Sequence, residues 1–517
     1  MTSARAWIGF GAMAVGMFLS ILDIQIVASS LIDIQADLRI PADKLSYLQT
    51  VYLIAEVIAI AVAGWLTRAF SLRWLFTGGL IGFVAASIAC AASPDYPTLF
   101  ACRAIQGLFG GVLIPTVFSA TLLMFPRERQ TLATVIGGGF ATLAPTVGPF
   151  IGGWITETLS WHWLFLINVV PGLIAAVLVA ALVRVDKPDL ARLRRLDWLT
   201  LLLAAVSLGA LELTLKEAPV RGWLSPVALG LAVLCLASGG VAIRRCLTRA
   251  DPLIAVDVFA DRNFTICAVY SFVLGMALYG SIYLLPLFLG LVRVHGPLEI
   301  GTIMIVTGIA QLLVSPVAAR LEERMNPLIL TAAGYTLFAA GLLLNARTTP
   351  AWDFEELIAP QILRGAALLL CLLPTTRLAL GGLAPDRVPQ GSSLFNLMRN
   401  IGGAVGLALI DTVIAKRTAF HVESLAAKLQ AGDRATAAFV GLPLERFQGV
   451  PLGPVDESTR EMVEPLVRAA AATQSFNDGW LMLGVICLAT LVLLPFMKAA
   501  APAPHSPRAD GPPALPH

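Results

Sequence analysis

The sequence predicts an all-α polytopic membrane protein, and three observations predict it. Of its 517 residues, 57% are hydrophobic and 13% charged, about half the charged share of soluble domains. Mean hydropathy is +0.80. Apolar stretches recur along the chain, each long enough to cross a hydrocarbon core of about 30 Å. A late stretch also repeats an earlier one, as in chains built from duplicated bundles. The same composition narrows function. A net charge of +3 is too small to argue for a nucleic-acid partner. The seven cysteines, at 90, 102, 235, 246, 267, 371 and 487, have neither metal-ligand spacing nor a disulfide framework. They read as small apolar packers, and no metal or cofactor is expected.

Fourteen spans are expected, near 6–28, 46–66, 74–92, 98–124, 132–155, 161–183, 198–215, 224–243, 264–289, 299–318, 327–345, 356–380, 392–415 and 477–497. The first opens almost at the N-terminus and carries Asp23, so it reads as a retained span rather than a cleaved signal. With the N-terminus in the cytoplasm, cytoplasmic segments hold 20 Lys and Arg and the short outer loops 6. The positive-inside rule therefore sets both termini in the cytoplasm. Residues 416–476 read as a polar outer loop in which 418–440 has helical composition, and 498–517 as a disordered cytoplasmic tail.

The repeat aligns Gly107 with Gly365. Pro115 and Pro374 follow at offsets of eight and nine, and Arg129 and Arg387 both at twenty-two. The fourth and twelfth spans thus read as copies eight helices apart, the separation of two six-helix bundles with two helices inserted (6+2+6). The expected division is 1–183, 184–262 with the inserted pair, and 263–497, before the tail.

The fifth span carries six glycines and two prolines between Ile136 and Trp154. Bilayer helices tolerate these residues because neighbours satisfy freed backbone groups. Gly148 and Gly152, with Pro149 between them and Gly153 beside them, make a small-residue face for close helix approach. That is either ordinary bundle packing or a seal that controls how a transporter opens. Ionisable groups inside spans are functional candidates by default. Burial disfavours the charged form of a carboxyl, so Asp23 and Glu56 could hold a proton in one conformation and release it in another; the bland reading is an acid permanently paired with an arginine. Arg103, Arg364 and Arg399 are candidates for coupling or for structural hydrogen bonding. Glu212 and Asp411 lie nearer span ends, where solvation is cheap, and read as structural. In the ninth span Phe272, Met276, Tyr279 and Tyr283 share one helical face, an adaptable wall for lipophilic ligands or simply a packing surface.

The motifs carry a resemblance. APTVGPFIGG (144–153) is similar to the antiporter motif of the major facilitator superfamily, in its fourteen-span drug:proton branch. WHWLFLINVVPG (161–172), Arg103 with Gln106 and Gly107, LDIQIV (22–27) and GSSLFNLMRNIGGAVG (391–406) resemble further motifs of that branch. The resemblance implies a proton-coupled exporter of lipophilic or amphipathic drugs working by alternating access in a bacterial inner membrane. It implies that Arg103 switches an acid between states and that the ninth span lines the central cavity. It also implies hand-over to a periplasmic adaptor and an outer-membrane channel. Departures stand at Gln25, Ala28 and Ile32, and at Arg68, where many relatives carry an acid at a cytoplasmic gate. Other readings are export of one endogenous metabolite or lipid, an ATP-driven pump subunit, or a non-transporting receptor or channel. The sequence has no G-x-x-x-x-G-K-[ST] to hold ATP.

Overall fold

The computed structural model describes residues 4–29, 31–40, 47–249, 252–447, 449–450, 452 and 457–497. The tail expected to be disordered, 498–517, lies outside them. Among the described residues there is no strand. The helices are α1 (Ala4–Ser29), α2 (Leu31–Leu38), α3 (Tyr47–Ala91), α4 (Tyr96–Leu123), α5 (Arg127–Thr158), α6 (His162–Leu166) and α7 (Val169–Leu182). Then come α8 (Trp198–Arg221), α9 (Pro226–Thr248), α10 (Arg262–Leu291), α11 (Pro297–Arg324), α12 (Pro327–Asn345), α13 (Phe354–Leu380), α14 (Val388–Gln430), α15 (Arg434–Val440) and α16 (Glu457–Ala489). Their starts are written in the sequence. Asp95, Asp261 and Asn326 each accept a backbone N–H from the first turn of the helix that follows, which satisfies donors a helix otherwise leaves free.

Thirteen helical stretches of the described chain are long and apolar enough to cross a membrane. Expected spans two and three are fused in the 45-residue α3. The fusion is nominal. In its first half Ala55 meets Gly107 of α4 and Ala59, four residues on, meets Gly111, whereas in its second half Gly79 meets Val112 and Ser87, eight residues on, bonds Gln106. The halves run in opposite directions along α4, so the chain reverses between them, compatible with fourteen crossings. The expected seven-residue connection shrinks to Ser71, which has φ 71° and ψ 157°. Leu72 N–H, which opens the second half, donates to both oxygens of Asp186 at 3.1 and 3.0 Å. This carboxylate stands at a helix N-terminus, where negative charge is favoured. Positive φ strains any side chain with a Cβ, so Ser71→Gly should raise unfolding stability by about 1 kcal/mol. Thermal unfolding of the purified protein checks this; a lower midpoint would show that the serine's bond from Trp74 N–H outweighs the strain.

Helices α1 and α3 to α7 pack with one another, and so do α10 to α14 with α16; these two groups are termed the N-terminal and C-terminal bundles below. The sixth expected span is broken into α6 and α7. Gly275 of α10 packs on the Arg399 carbonyl of α14, and Gly402 of α14 packs on the Phe272 carbonyl of α10, so neither position has room for a Cβ. The inserted pair α8 and α9 packs together and is tied at one end by Asp197, whose carboxylate accepts from Arg245 at 2.9 and 3.0 Å. Helix α8 also touches both bundles. Lys216 Nζ donates to Thr50 of α3 at 2.8 Å, and Trp223 Nε1 donates to Thr412 of α14 at 2.9 Å.

Most of the described residues in 416–476 are helical and pack as one unit, a projection continuous with α14. The expected helix within 418–440 is the end of α14 followed by α15. Helix α14 runs 43 residues, about 65 Å at 1.5 Å per residue. With α15 and the start of α16 it buries a small core of its own: Leu425, Leu429, Ala437, Val440, Val467 and Ala470.

Candidate functional site

Three separate motifs meet at one carboxylate. Asp23 of α1 is fully buried and accepts hydrogen bonds from Arg103 Nη1, from Gln106 Nε2 at 3.0 Å and from Asn168 Nδ2 at 2.8 Å. Arg103 and Gln106 come from α4, and Asn168 from the break between α6 and α7. That break is what turns the asparagine inward. Gln106 Oε1 also accepts from Arg103 at 2.7 Å, and Ser87 of α3 accepts from Gln106 Nε2 at 2.8 Å. The Arg103 guanidinium lies 4.3 Å from the Tyr52 ring centroid, a cation–π contact. A buried ion pair is held together by such added hydrogen bonds; alone, its desolvation cost rivals the Coulomb gain.

Glu56 of α3 is different. It is 1% exposed and neither carboxylate oxygen has a hydrogen-bond partner. Its charged neighbours are Glu212, Arg103, Asp23 and Arg399. Without donors, this pocket accommodates a neutral carboxyl far more cheaply than a carboxylate. Glu212 corrects the reading from sequence: although toward the end of an expected span, it is 7% exposed. The reason is that α8 packs against α3 and α14, which cover this side of it.

Arg399 of α14 donates to Asn396 and lies 5.3 Å from the Phe118 ring of α4. Ser392, about two turns earlier, donates to the Pro115 carbonyl at 2.8 Å. Arg399 thus stands on the seam between the bundles. Arg364 lies inside the C-terminal bundle, apart from the Asp23 network, 5.4 Å from the Trp480 ring.

The glycine- and proline-rich α5 touches both bundles. Gly148 packs on Gln25 of α1, two residues from Asp23, while Gly301 of α11 packs on the Phe150 backbone on the other side. Gln311 Nε2 of α11 donates to the Gly139 carbonyl at 3.0 Å, and Glu322 of α11 accepts from Thr131 at 3.1 Å. The contact therefore runs the length of the helix. Pro149, Gly152 and Gly153 are all buried.

Phe272, Met276, Tyr279 and Tyr283 do share a face, but that face is turned to α14. Gly402 packs on Phe272, Gly406 on Met276 and Gly403 on Tyr279, while Tyr283 donates to Asp411 at 2.8 Å. A small internal cavity is lined by a neighbouring face of α10, Leu278, Ser281, Ile282 and Leu285. Helical spacing identified a shared face; it carried no information on which neighbour would cover it. Sequence reasoning also missed Ser87, which has no motif, and the role of Asn168, which stood inside a quoted motif. Among the described residues, no group of His, Cys, Asp or Glu is arranged to hold a metal ion.

Residues 13–407 match the family model described as Major Facilitator Superfamily. The Colistin resistance protein EmrB of Acinetobacter baumannii is 38% identical over 493 residues, covering 95% of this chain and 96% of that protein. The Multidrug export protein EmrB of Escherichia coli K12 is 28% identical over 412 residues, covering 79% and 80%. Among solved structures, the human organic anion transporter MFSD10 (TETRAN) aligns with a TM-score of 0.57 at 12% identity. That alignment covers 94% of this chain and 100% of the other, and at such identity it speaks to the fold alone.

Proposed function

The chain belongs to the Major Facilitator Superfamily, and on that premise we propose that it exports lipophilic or amphipathic drugs in exchange for protons. The similarity to proteins named for multidrug export and colistin resistance supports efflux as the direction. The observation that carries proton coupling is Glu56, a fully enclosed carboxyl with no donor, electrostatically linked to the Asp23–Arg103 pair. Arg103 has two acids it can serve. When it holds Asp23, Glu56 keeps a proton; a rearrangement that turns Arg103 or Arg399 toward Glu56 would release it. Each charge so moved across the membrane gains about 2.3 kcal/mol per 100 mV.

In proteoliposomes with an imposed proton gradient, wild-type protein should accumulate a lipophilic dye, and collapsing the gradient should stop it. Glu56→Gln keeps the shape and removes the titrating proton. It should cut gradient-driven uptake by at least about tenfold, equivalent to 1.4 kcal/mol, with dye binding retained. Gradient-independent uptake would sink the coupling.

Tyr279 and Tyr283, with Phe272 and Met276, would meet substrate only when α14 parts from α10. Tyr279 has Arg399 and Glu56 as charged neighbours, which puts it beside the groups that would respond to a proton. Gly148, Pro149, Gly152 and Gly153 are assigned a sealing role. The arginine-rich end is assigned to the cytoplasm of a bacterial inner membrane, with both termini there, on the 20-to-6 imbalance of basic residues.

The projection formed by 416–476 is assigned to a periplasmic adaptor and, through it, to an outer-membrane channel. Its separate core supports a unit that can be removed without opening the bundle. Replacing it by a short linker should abolish whole-cell resistance and leave vesicle transport within about twofold. Unchanged resistance in cells would exclude the adaptor.

A further inference from the structure

The two copies of the internal repeat handle charge in opposite ways. With Gly107 set on Gly365, Arg103-Ala-Ile-Gln-Gly107 falls on Gln361-Ile-Leu-Arg-Gly365. The glycines do the same work: a Cβ on Gly107 would strike the Tyr52 carbonyl of α3, and one on Gly365 the Thr307 carbonyl of α11. The arginine and the glutamine have exchanged places, and the acid has gone. In the N-terminal copy both side chains donate to Asp23. In the C-terminal copy Arg364 is 3% exposed, and its Nε and Nη1 have no hydrogen-bond partner. Gln361 Oε1 accepts from Thr307 at 2.8 Å, but its Nε2 is also unpartnered. The facing helix α10 presents Leu278, Ser281 and Ile282, none of them acidic.

These donors border the internal cavity, a space of ≈ 10 Å³ to a water-sized sphere that Ser281, Thr307 and Thr146 also line. About that much admits one water-sized body. The chain makes room for the arginine there. A Cβ on Gly341 of α12 would stand 2.8 Å from Arg364 Cγ, and the Trp480 ring covers the guanidinium at 5.4 Å. A guanidinium withdrawn from water without a counter-charge is strongly unfavourable, and the N-terminal copy meets that cost with Asp23.

We propose that the C-terminal copy meets it with an acid from outside the chain: Arg364 and Gln361 form a binding site for a monovalent anion, either a halide or the carboxylate end of an amphipathic molecule. The site lies between α10, α11 and α13, with α5 contributing Thr146. It goes beyond proton exchange and does not depend on it, because binding is measured without a gradient.

The experiment uses full-length protein purified in detergent, with thermal unfolding recorded at fixed ionic strength. Sodium chloride is compared with sodium gluconate, and sodium decanoate with uncharged decanol. In the wild type, chloride or decanoate should raise the midpoint saturably, by at least about 2 °C. A chloride response assigns the site to halide; a decanoate response without a decanol response assigns it to a carboxylate headgroup. Arg364→Gln should remove the response and Arg364→Lys retain a weaker one, since the ammonium keeps the charge but not the planar donors. Gly341→Ala keeps the arginine but displaces its stem, and should also weaken the response. It serves if Arg364→Gln does not fold. No response to either anion in the wild type, or an undiminished response in whichever of these two variants folds, overturns the site.

Discussion

Asp23→Asn should abolish gradient-driven transport and lower stability by about 3–5 kcal/mol, because it strands the buried Arg103 charge. Asparagine retains an oxygen to accept from Gln106 and Asn168, so the loss falls on the ion pair itself. The double variant Asp23→Asn/Arg103→Gln separates the two effects. Removing both charges should restore much of the stability, since a buried pair often contributes little net. It should not restore transport, since no titrating pair remains. Denaturant or thermal unfolding gives the first quantity, and dye-coupled proton movement in vesicles the second. Recovery of both in the double variant would make the pair a structural feature only.

Gly148→Ala should reduce exchange at least about tenfold, although alanine favours a helix over glycine by about 1 kcal/mol. Its methyl runs into Gln25 Cβ, with Gln25 Cγ 3.3 Å away, in an interface where overpacking costs about 1–3 kcal/mol. Gly139→Ala on the same helix is the control. A Cβ there meets nothing within 4 Å, so transport should stay within about twofold while the propensity gain is the same. Substrate binding should survive at both positions. Equal transport by the two variants would show that the Gly148 contact does not control opening.

The order of elements could be read almost entirely from apolar run length, because the bilayer imposes one length on every crossing. Charge placement carried the expected orientation, and one glycine-anchored repeat the expected bundle plan. What could not be read was where the chain departs from those rules. The turn at Ser71 is a single residue, and its strain is a backbone property that no side-chain pattern records. The segment 416–476 is polar, and polarity alone does not separate a loop from a helix that continues beyond its apolar span. For the site, separate motifs singled out Asp23 on one helix and Arg103 with Gln106 on another, and the packing of α1 on α4 brings the three side chains together. Glu212 was misread because depth was judged from distance along its own helix, and burial there comes from a second helix crossing it. The aromatic face of α10 shows the same limit: periodicity fixes which residues point together, and only packing decides toward what.

The continuous helix of α14 is also a lever. It is stiff from its contacts with Gly275 and Met276, within the bundle, to Gln430 in the projection. A rocking of the C-terminal bundle by about 10° about its middle would swing a tip roughly 40 Å away through about 7 Å. Whatever is bound outside the membrane would feel each cycle as a displacement, timed by the same protonation that drives it. Spin labels at Glu423 and on the N-terminal bundle, measured at high and low pH, should report that swing; a fixed distance would show that the projection is mechanically isolated.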